Sequence, residues 1–418
     1  MKRKNTLYFV FFLLFFVSFF SKPLAIVNYI FMCVITLIAL MDGSWQQKKQ
    51  LLNDRKHIRL MLAFIAMLII SLLLSSNKTD GIQSLVRRIP LVLFPIGLGL
   101  VSFSRVYRDK ILLGLAIIVS LACLFSLILS IHRYTINNDS AFLYNDSLSF
   151  FIGQQSIYTS VFVNISIYIF MYFILYYPAI GVYKPFLIAG IFFLFVISYL
   201  LASRNMMLLL YLSVFTFSVY IIIKRKKYLT GLSLLAGVAI SILVIILFFP
   251  KTINRFKELA FTQFSFDHQG PESHYNMKVT SDQWNGANFR LAAWQCGWEV
   301  FKKNRVIGTG LGDKKDELFK VYEEKKFHFA IDTRKNVHNN YLDILMSMGI
   351  IGLLIFLGGW IVMPFLRLLS DQDGLGILIL LTLALAMLTE NYFDRRLGVM
   401  LFASLVTFLL TSSTRKKI

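Results

Sequence analysis

The sequence predicts an all-α integral membrane protein of about twelve transmembrane helices with one large extramembrane loop. Three observations carry that expectation. The 418 residues are 57% hydrophobic and 15% aromatic but only 16% charged, and the mean hydropathy is +0.67, outside the range of a soluble domain. Apolar runs close to the ~20 residues needed to cross a ~30 Å hydrocarbon core recur from end to end. One long hydrophilic stretch, residues 250–337, interrupts them. Membrane β-strands would be about half as long and would alternate in polarity.

In chain order the runs fall at residues 7–21, 24–41, 60–75, 86–103, 111–131, 156–177, 186–202, 206–223, 229–249, 339–366, 374–390 and 397–412. The chain thus divides into nine helices (1–249), the loop (250–337) and three more helices (338–418). Met1-Lys2-Arg3-Lys4 before an apolar run imitates a secretory signal, but further spans follow at once, so the segment reads as a retained first helix. With the N-terminus inside, the short cytoplasmic segments hold twenty basic residues, among them Lys224-Arg225-Lys226-Lys227 and Arg415-Lys416-Lys417, against eight outside. The positive-inside rule therefore places both termini in the cytoplasm and the loop outside, since long loops cross largely regardless of their charge. The net charge of +21 is then a topology signal facing anionic headgroups, and nucleic acid is not an expected partner. Cys33 and Cys123 lie in spans and Cys296 in the loop. They form neither a disulfide framework nor a metal spacing.

Inside the loop, Ala287 to Asn304 places Leu291, Trp294, Trp298 and Phe301 near one face at helical spacing, which predicts an amphipathic helix lying on the bilayer or the bundle. Arg290 stands in its first turn, where unpaired N–H groups and the helix dipole favour an anion. Gly308-Thr309-Gly310-Leu311-Gly312 reads as a turn, because it lacks the strand and spacing of a phosphate-binding loop. Residues 313–327 read as a charged surface helix with Leu318, Val321 and Tyr322 on its buried side.

The ionisable groups near the outer membrane ends are the candidates for chemistry. Arg204 sits in the four-residue turn Ala202-Ser203-Arg204-Asn205, and Arg87 and Arg88 precede Pro90 at the outer start of the fourth span. Each is either an anchor to headgroups or a phosphate clamp. His338-Asn339 stands at the mouth of the tenth span, separated by nine residues from Gly349-Ile350-Ile351-Gly352, whose small residues would let another helix pack close. Glu390 and Asp394 flank the last outer turn and either pair with local charges or orient catalytic groups. Asp371-Gln372-Asp373 resembles a metal-binding DxD but falls in a short cytoplasmic turn with no nucleotide-binding domain. His57, His132, His268, His274 and His328 show no metal-ligand spacing, and no metal or cofactor is expected.

Taken together, a twelve-span protein with one large outer loop before the tenth span, Arg204 between the seventh and eighth, Arg290 in a Trp-containing loop helix, G-x-G-L-G and H-N-x9-G-x-x-G resembles the O-antigen ligases. These belong to a wider superfamily of bacterial surface-polysaccharide polymerases and ligases. The resemblance covers nearly the whole chain in topology and about 150 residues in motif. It implies a membrane-embedded glycosyltransferase architecture (GT-C-like) and transfer of a polysaccharide from undecaprenyl pyrophosphate to lipid A-core at the periplasmic face of the inner membrane. By motif position Arg204, Arg290 and His338 would carry the essential roles. Arg87, Arg88, Asn339, Glu390 and Asp394 match more loosely and would support them.

The chemistry of the residues is compatible with that reading. A lipid-linked sugar diphosphate needs no ATP, but it needs cations where charge builds on the leaving group, and the forked guanidinium suits phosphate. The acceptor hydroxyl must lose its proton, for which a neutral imidazole is the usual base. A polymerase or a protein O-oligosaccharyltransferase would use the same donor, and the acceptor is not written in the sequence. A transporter of the same lipid is the alternative that is not an enzyme; paired halves with charged or broken mid-span helices would mark it.

Overall fold

A computed structural model describes residues 2–20, 26–266 and 283–412, and in these it is helical throughout with no strand; one isolated bridge pairs Phe103 with Ser412. Arg415, Lys416, Lys417, Lys22, His268 and His274 lie outside the described residues. The first block comprises α1 (Lys2–Ser18), α2 (Val27–Met41), α3 (Trp45–Asp54), α4 (Lys56–Leu74), α5 (Lys78–Arg87), α6 (Pro90–Gly97), α7 (Arg105–Asn137), the short α8 (Asn145–Leu148), α9 (Ser156–Tyr176), α10 (Lys184–Leu201), α11 (Arg204–Arg225) and α12 (Tyr228–Phe248). The long loop carries α13 (Pro250–Lys257), α14 (Asn288–Lys303), α15 (Lys314–Glu324) and α16 (His328–Asp332). The last block is α17 (Asn340–Phe356), continued by a π-helical stretch (Leu357–Val362) into α18 (Met363–Ser370), then α19 (Gly374–Ala386) and α20 (Arg396–Leu409).

Among the described residues, eight helical stretches are long and apolar enough to cross a membrane, and α2 with α3 would be a ninth if the pair, bent by 106°, forms one span. The apolar helices Asn5–Ser18, Gly374–Ala386 and Arg396–Leu409 are shorter. The α2–α3 bend has a local cause. Gly43 takes φ +76°, and Ser44 and Gln47 close a reciprocal capping box in which each side chain accepts from the other's backbone N–H.

Burial sorts the helices. Nearly every residue of α9 from Tyr158 to Phe173 is buried, polar Asn164 included, whose Nδ2 donates to the carbonyl of Met206 at 2.8 Å. A helix apolar all round belongs in the interior. By contrast α10 and α12 expose Phe186, Phe192, Leu229, Ile240 and Phe248, the surface expected of helices that face lipid.

The loop has its own apolar core. Trp284, Phe289, Cys296, Val300, Tyr322 and Phe327 pack together and reach Leu342 and Met346 on α17. As read from sequence, Leu318, Val321 and Tyr322 form the buried side of α15. The face of α14 differs from expectation: Phe289, Ala292, Ala293, Cys296, Val300 and Phe301 are buried, while Leu291 and Trp298 are exposed. Small residues and Cys296 let α14 sit close on the loop core, so of the four residues read from spacing Phe301 alone is deeply buried. Burial pushes the Cys296 thiol up to about 12, which leaves it a packing residue.

The glycines of α17 also act differently from expectation. Gly349 breaks the helix, with φ +64° and ψ −165°, and a Cβ there would stand 2.3 Å from the carbonyl oxygen of Val306. It admits the loop backbone, not a second helix. Thr309 N donates to Met346 O and Gly310 N to Ser347 O, while Ile350 N donates to Arg305 O, at 2.8, 3.1 and 2.9 Å. The freed backbone groups of the broken helix are thereby satisfied. The Gly308–Gly312 turn continues into the end of α4, where Gly312 N donates to Ser75 Oγ at 2.9 Å and Asp313 accepts from the N–H groups of Ser76 and Asn77.

Candidate active site

Three segments meet at the loop end of the bundle: residues 336–340, the turn 387–395, and the start of α14. Asn339 is the N-cap of α17, its Oδ1 accepting from Tyr341 N and Leu342 N. That frees His338 from capping. His338 takes the left-handed conformation, φ +46°, with its N–H donated to Asn336 Oδ1 at 3.0 Å. The neighbouring turn is bolted on by Asn340 N donating to Met387 O and Phe393 N donating to Asn340 Oδ1, both at 2.9 Å.

This scaffold brings His338 Nδ1 to 3.0 Å from Glu390 Oε2. Burial alone would raise the Glu390 carboxyl, but the hydrogen bond and charge of His338, helped by Arg290 and Arg395, hold it below the usual range. An ionised carboxylate can only accept, so Nδ1 carries the proton and Nε2 is left as the basic nitrogen. The ring of Phe289 meets the imidazole edge to face at 5.6 Å and fixes its plane.

The two arginines flank one glycine. Asn285 Oδ1 accepts from Ala287 N and Asn288 N, folding the turn before α14. In that turn a Cβ on Gly286 would come within 2.7 Å of Arg204 Nη2 and 3.0 Å of Arg290 Nη1. Arg204, at the first position of α11, is 8% exposed and ion-paired with the buried Glu258 at 2.9 Å. Arg290 Nε donates to Thr389 O at 2.9 Å, and Nη1 donates to Gly286 O. Arg290 therefore sits one residue along the turn from Glu390.

Arg88 lies elsewhere. It is 1% exposed and forms a buried network with Lys314, Asp343 and Asp394: Arg88 to Asp343 at 3.3 Å and to Asp394 at 3.5 Å, Lys314 to Asp343 at 2.5 Å and to Asp394 at 2.9 Å. Asn336 and Asn391 donate to Asp394 at 3.1 and 2.9 Å. Burial works against the charge on Asp394, but Lys314 and Arg88 hold its carboxyl well below the usual range. Two cations and two anions balance, as buried charges must. Arg87 donates from Nη2 to Ser84 Oγ at 3.0 Å and lines a neighbouring cavity of about 310 Å³.

Sequence reasoning did not single out Glu258, Gly286, Lys314 or Asp343. Asp343 carried a usable signal, being an acid inside an apolar run; the others carried none. Asp371-Gln372-Asp373 lies at the opposite end of the bundle, where Asp373 pairs with Arg105 at 3.1 Å and with Arg108, so arginines take its carboxylate. Among the described residues no group of three or more His, Cys, Asp or Glu side chains is placed to hold a metal ion.

A family model described as O-antigen ligase matches residues 189–357. Over that stretch, about two fifths of its length, the chain is similar to this family. The matched stretch includes Arg204, Arg290, His338 and Asn339 and leaves out Arg87, Arg88, Glu390 and Asp394. No curated protein matches the chain.

Proposed function

We propose that this chain is an O-antigen ligase, transferring polysaccharide from undecaprenyl pyrophosphate to a sugar hydroxyl of lipid A-core at the periplasmic face of the inner membrane, with both termini cytoplasmic. The observation that carries the reading is the His338–Glu390 pair beside two arginines that converge on Gly286. The acceptor hydroxyl attacks the anomeric carbon, its proton passes to His338 Nε2, and the bond from that carbon to the diphosphate oxygen breaks. Glu390 holds the imidazole tautomer and stabilises the imidazolium. Arg204 and Arg290 take the charge that develops on the departing diphosphate, with Glu258 steering Arg204. Arg88 and Asp394 hold the outer turn in place through the buried network, and Asn339 aims His338 by capping α17.

The test is a purified transfer assay with lipid-linked polysaccharide and lipid A-core, run with and without EDTA. Polymer joined to core, undiminished by the chelator, is the expected result. Longer polymer still on its carrier would make the protein a polymerase, and transfer to a Ser or Thr peptide would make it a protein oligosaccharyltransferase. His338→Ala is expected to lower the rate by about 10² to 10⁴ while donor binding persists. A near wild-type rate would remove the histidine from the chemistry.

A further inference from the structure

The long loop touches α4 and α17 at one level, and the lengths of those helices fix what level that is. α4 and the α17–α18 stretch run side by side in opposite directions: Ser71 Oγ donates to Ser347 O at 2.9 Å towards one end, and a Cβ on Gly359 would stand 2.8 Å from the backbone of Leu60 towards the other. From Ile350 to Ser370 the stretch rises about 31 Å, and α4, from Lys56 to Leu74, about 28 Å. Either length is one hydrocarbon core. The loop meets α17 at the start of that length, where Ile350 N and Ile351 N donate to Arg305 O and Val306 O at 2.9 and 3.3 Å. It meets α4 at the end of it, where Leu311 N donates to Ser71 O at 3.3 Å and Gly312 N to Ser75 Oγ at 2.9 Å. Two helices thus independently place the turn 305–312 at the edge of the core.

At that edge the loop turns apolar side chains outward. Val306 and Ile307 are exposed and continue the exposed Ile350, Ile351 and Leu354 of α17, the surface a span turns to lipid. Trp298 is exposed as well. A Cβ on its neighbour Gly297 would meet Leu342 and Met346, which lie one to two helical turns beyond Ile350 towards the loop, so Trp298 stands at headgroup height, where tryptophan is enriched. Lys302 and Arg305, exposed between these residues in the chain, supply positive charge that anionic headgroups attract. An apolar patch on a loop, level with the core edge and continuous with a lipid-facing helix, fits a bilayer. We propose that Trp298, Val306 and Ile307 enter the leaflet on the loop side, with Lys302 and Arg305 on its headgroup phosphates, so that the loop is anchored in the membrane instead of standing clear of it. α14 runs from this anchor to Arg290 at its other end, which ties the height of that arginine to the bilayer. The anchor does not depend on the transferase reading above.

The experiment uses full-length protein in phosphatidylcholine nanodiscs, carrying Cys33→Ala because the other two cysteines are buried, with a nitroxide attached at Ile307→Cys. Power-saturation EPR compares collisions with oxygen, which concentrates in lipid, and with a water-soluble nickel chelate. The oxygen-to-nickel ratio at 307 is expected to exceed several-fold that at Lys320→Cys, exposed on α15, and to match that at Leu354→Cys on the exposed side of α17. A ratio no higher than at 320 would overturn the proposal. Native Trp298 gives a check free of any label: the emission that Trp298→Phe removes should be quenched by lipids brominated near the headgroup end of their chains, and an unquenched difference would overturn it as well. Adding phosphatidylglycerol should raise the ratio at 307, and Lys302→Ala, Arg305→Ala should abolish the rise. No rise in the parent, or one that survives the double variant, would overturn the role given to the two cations.

Discussion

A guanidinium near the outer membrane surface can be read as anchor or as catalyst, and the approach of both Arg204 and Arg290 to Gly286 supports the catalytic role proposed above. Alanine at either is expected to slow transfer by about 10² to 10³, the scale of losing one preorganised donor. Lysine should rescue only in part, since it keeps the charge without the fork. Full rates in both alanine variants at normal membrane levels would make them headgroup anchors. Glu390 gives a pH prediction with a definite sign. Its carboxyl is held below the ordinary range, so its contribution to stability is complete above about pH 4.3 and is lost as the pH falls further. Thermal unfolding of wild type and Glu390→Gln from pH 7 downward should therefore show a constant gap that narrows only in that acid window. A gap that instead closed near neutrality would contradict the assigned ionisation.

Elements were legible where periodicity and charge decide them, and illegible where backbone meets backbone. Length and hydropathy gave the all-helical membrane class, although eight or nine stretches among the described residues, and not twelve, are long and apolar enough to cross a membrane, and the buried side of α15 followed from three residues. The face of α14 was misread because aromatic residues draw attention, while the close contacts are made by Ala292, Ala293 and Cys296. Nothing in Gly349-Ile350-Ile351-Gly352 distinguishes a helix-packing pair from a helix break, since both call for glycine. The break is the more sensitive of the two. Gly349→Ala combines a left-handed φ with a Cβ 2.3 Å from Val306 O, and is expected to destabilise by about 1–3 kcal/mol from backbone strain alone, more if the loop must move. Thermal unfolding in detergent checks it; Gly374→Ala, which meets nothing within 4 Å, is the control. Equal stability of the two variants would show that the loop is not seated in α17 as described.

At the scale of the whole molecule, sequence identified the class and three of the residues that converge, His338, Arg204 and Arg290, but not what holds them. Glu258 and Lys314 lie in polar segments where any charge is unremarked, and their partners are remote in sequence. Sidedness is testable directly. A single cysteine in place of Lys320, exposed on α15, should react with an impermeant reagent from the periplasm, whereas one at Lys226 should not. The reverse pattern would place His338 and both arginines in the cytoplasm and remove the proposed mechanism.

The network around Arg88 has a consequence for how the protein is made. Arg88 lies within the helical stretch Lys78–Leu100, yet its partner Asp343 comes 255 residues later. An arginine at the centre of a span without a counter-charge costs ~2.5–3.5 kcal/mol, and less toward its end, so this helix, inserted as a span, would carry a charge that stays unmatched until Asp343 has been made. A ribosome stalled before α17 would hold a nascent bundle with an unfilled acid socket and an unseated loop, which is the form quality-control proteases would meet first.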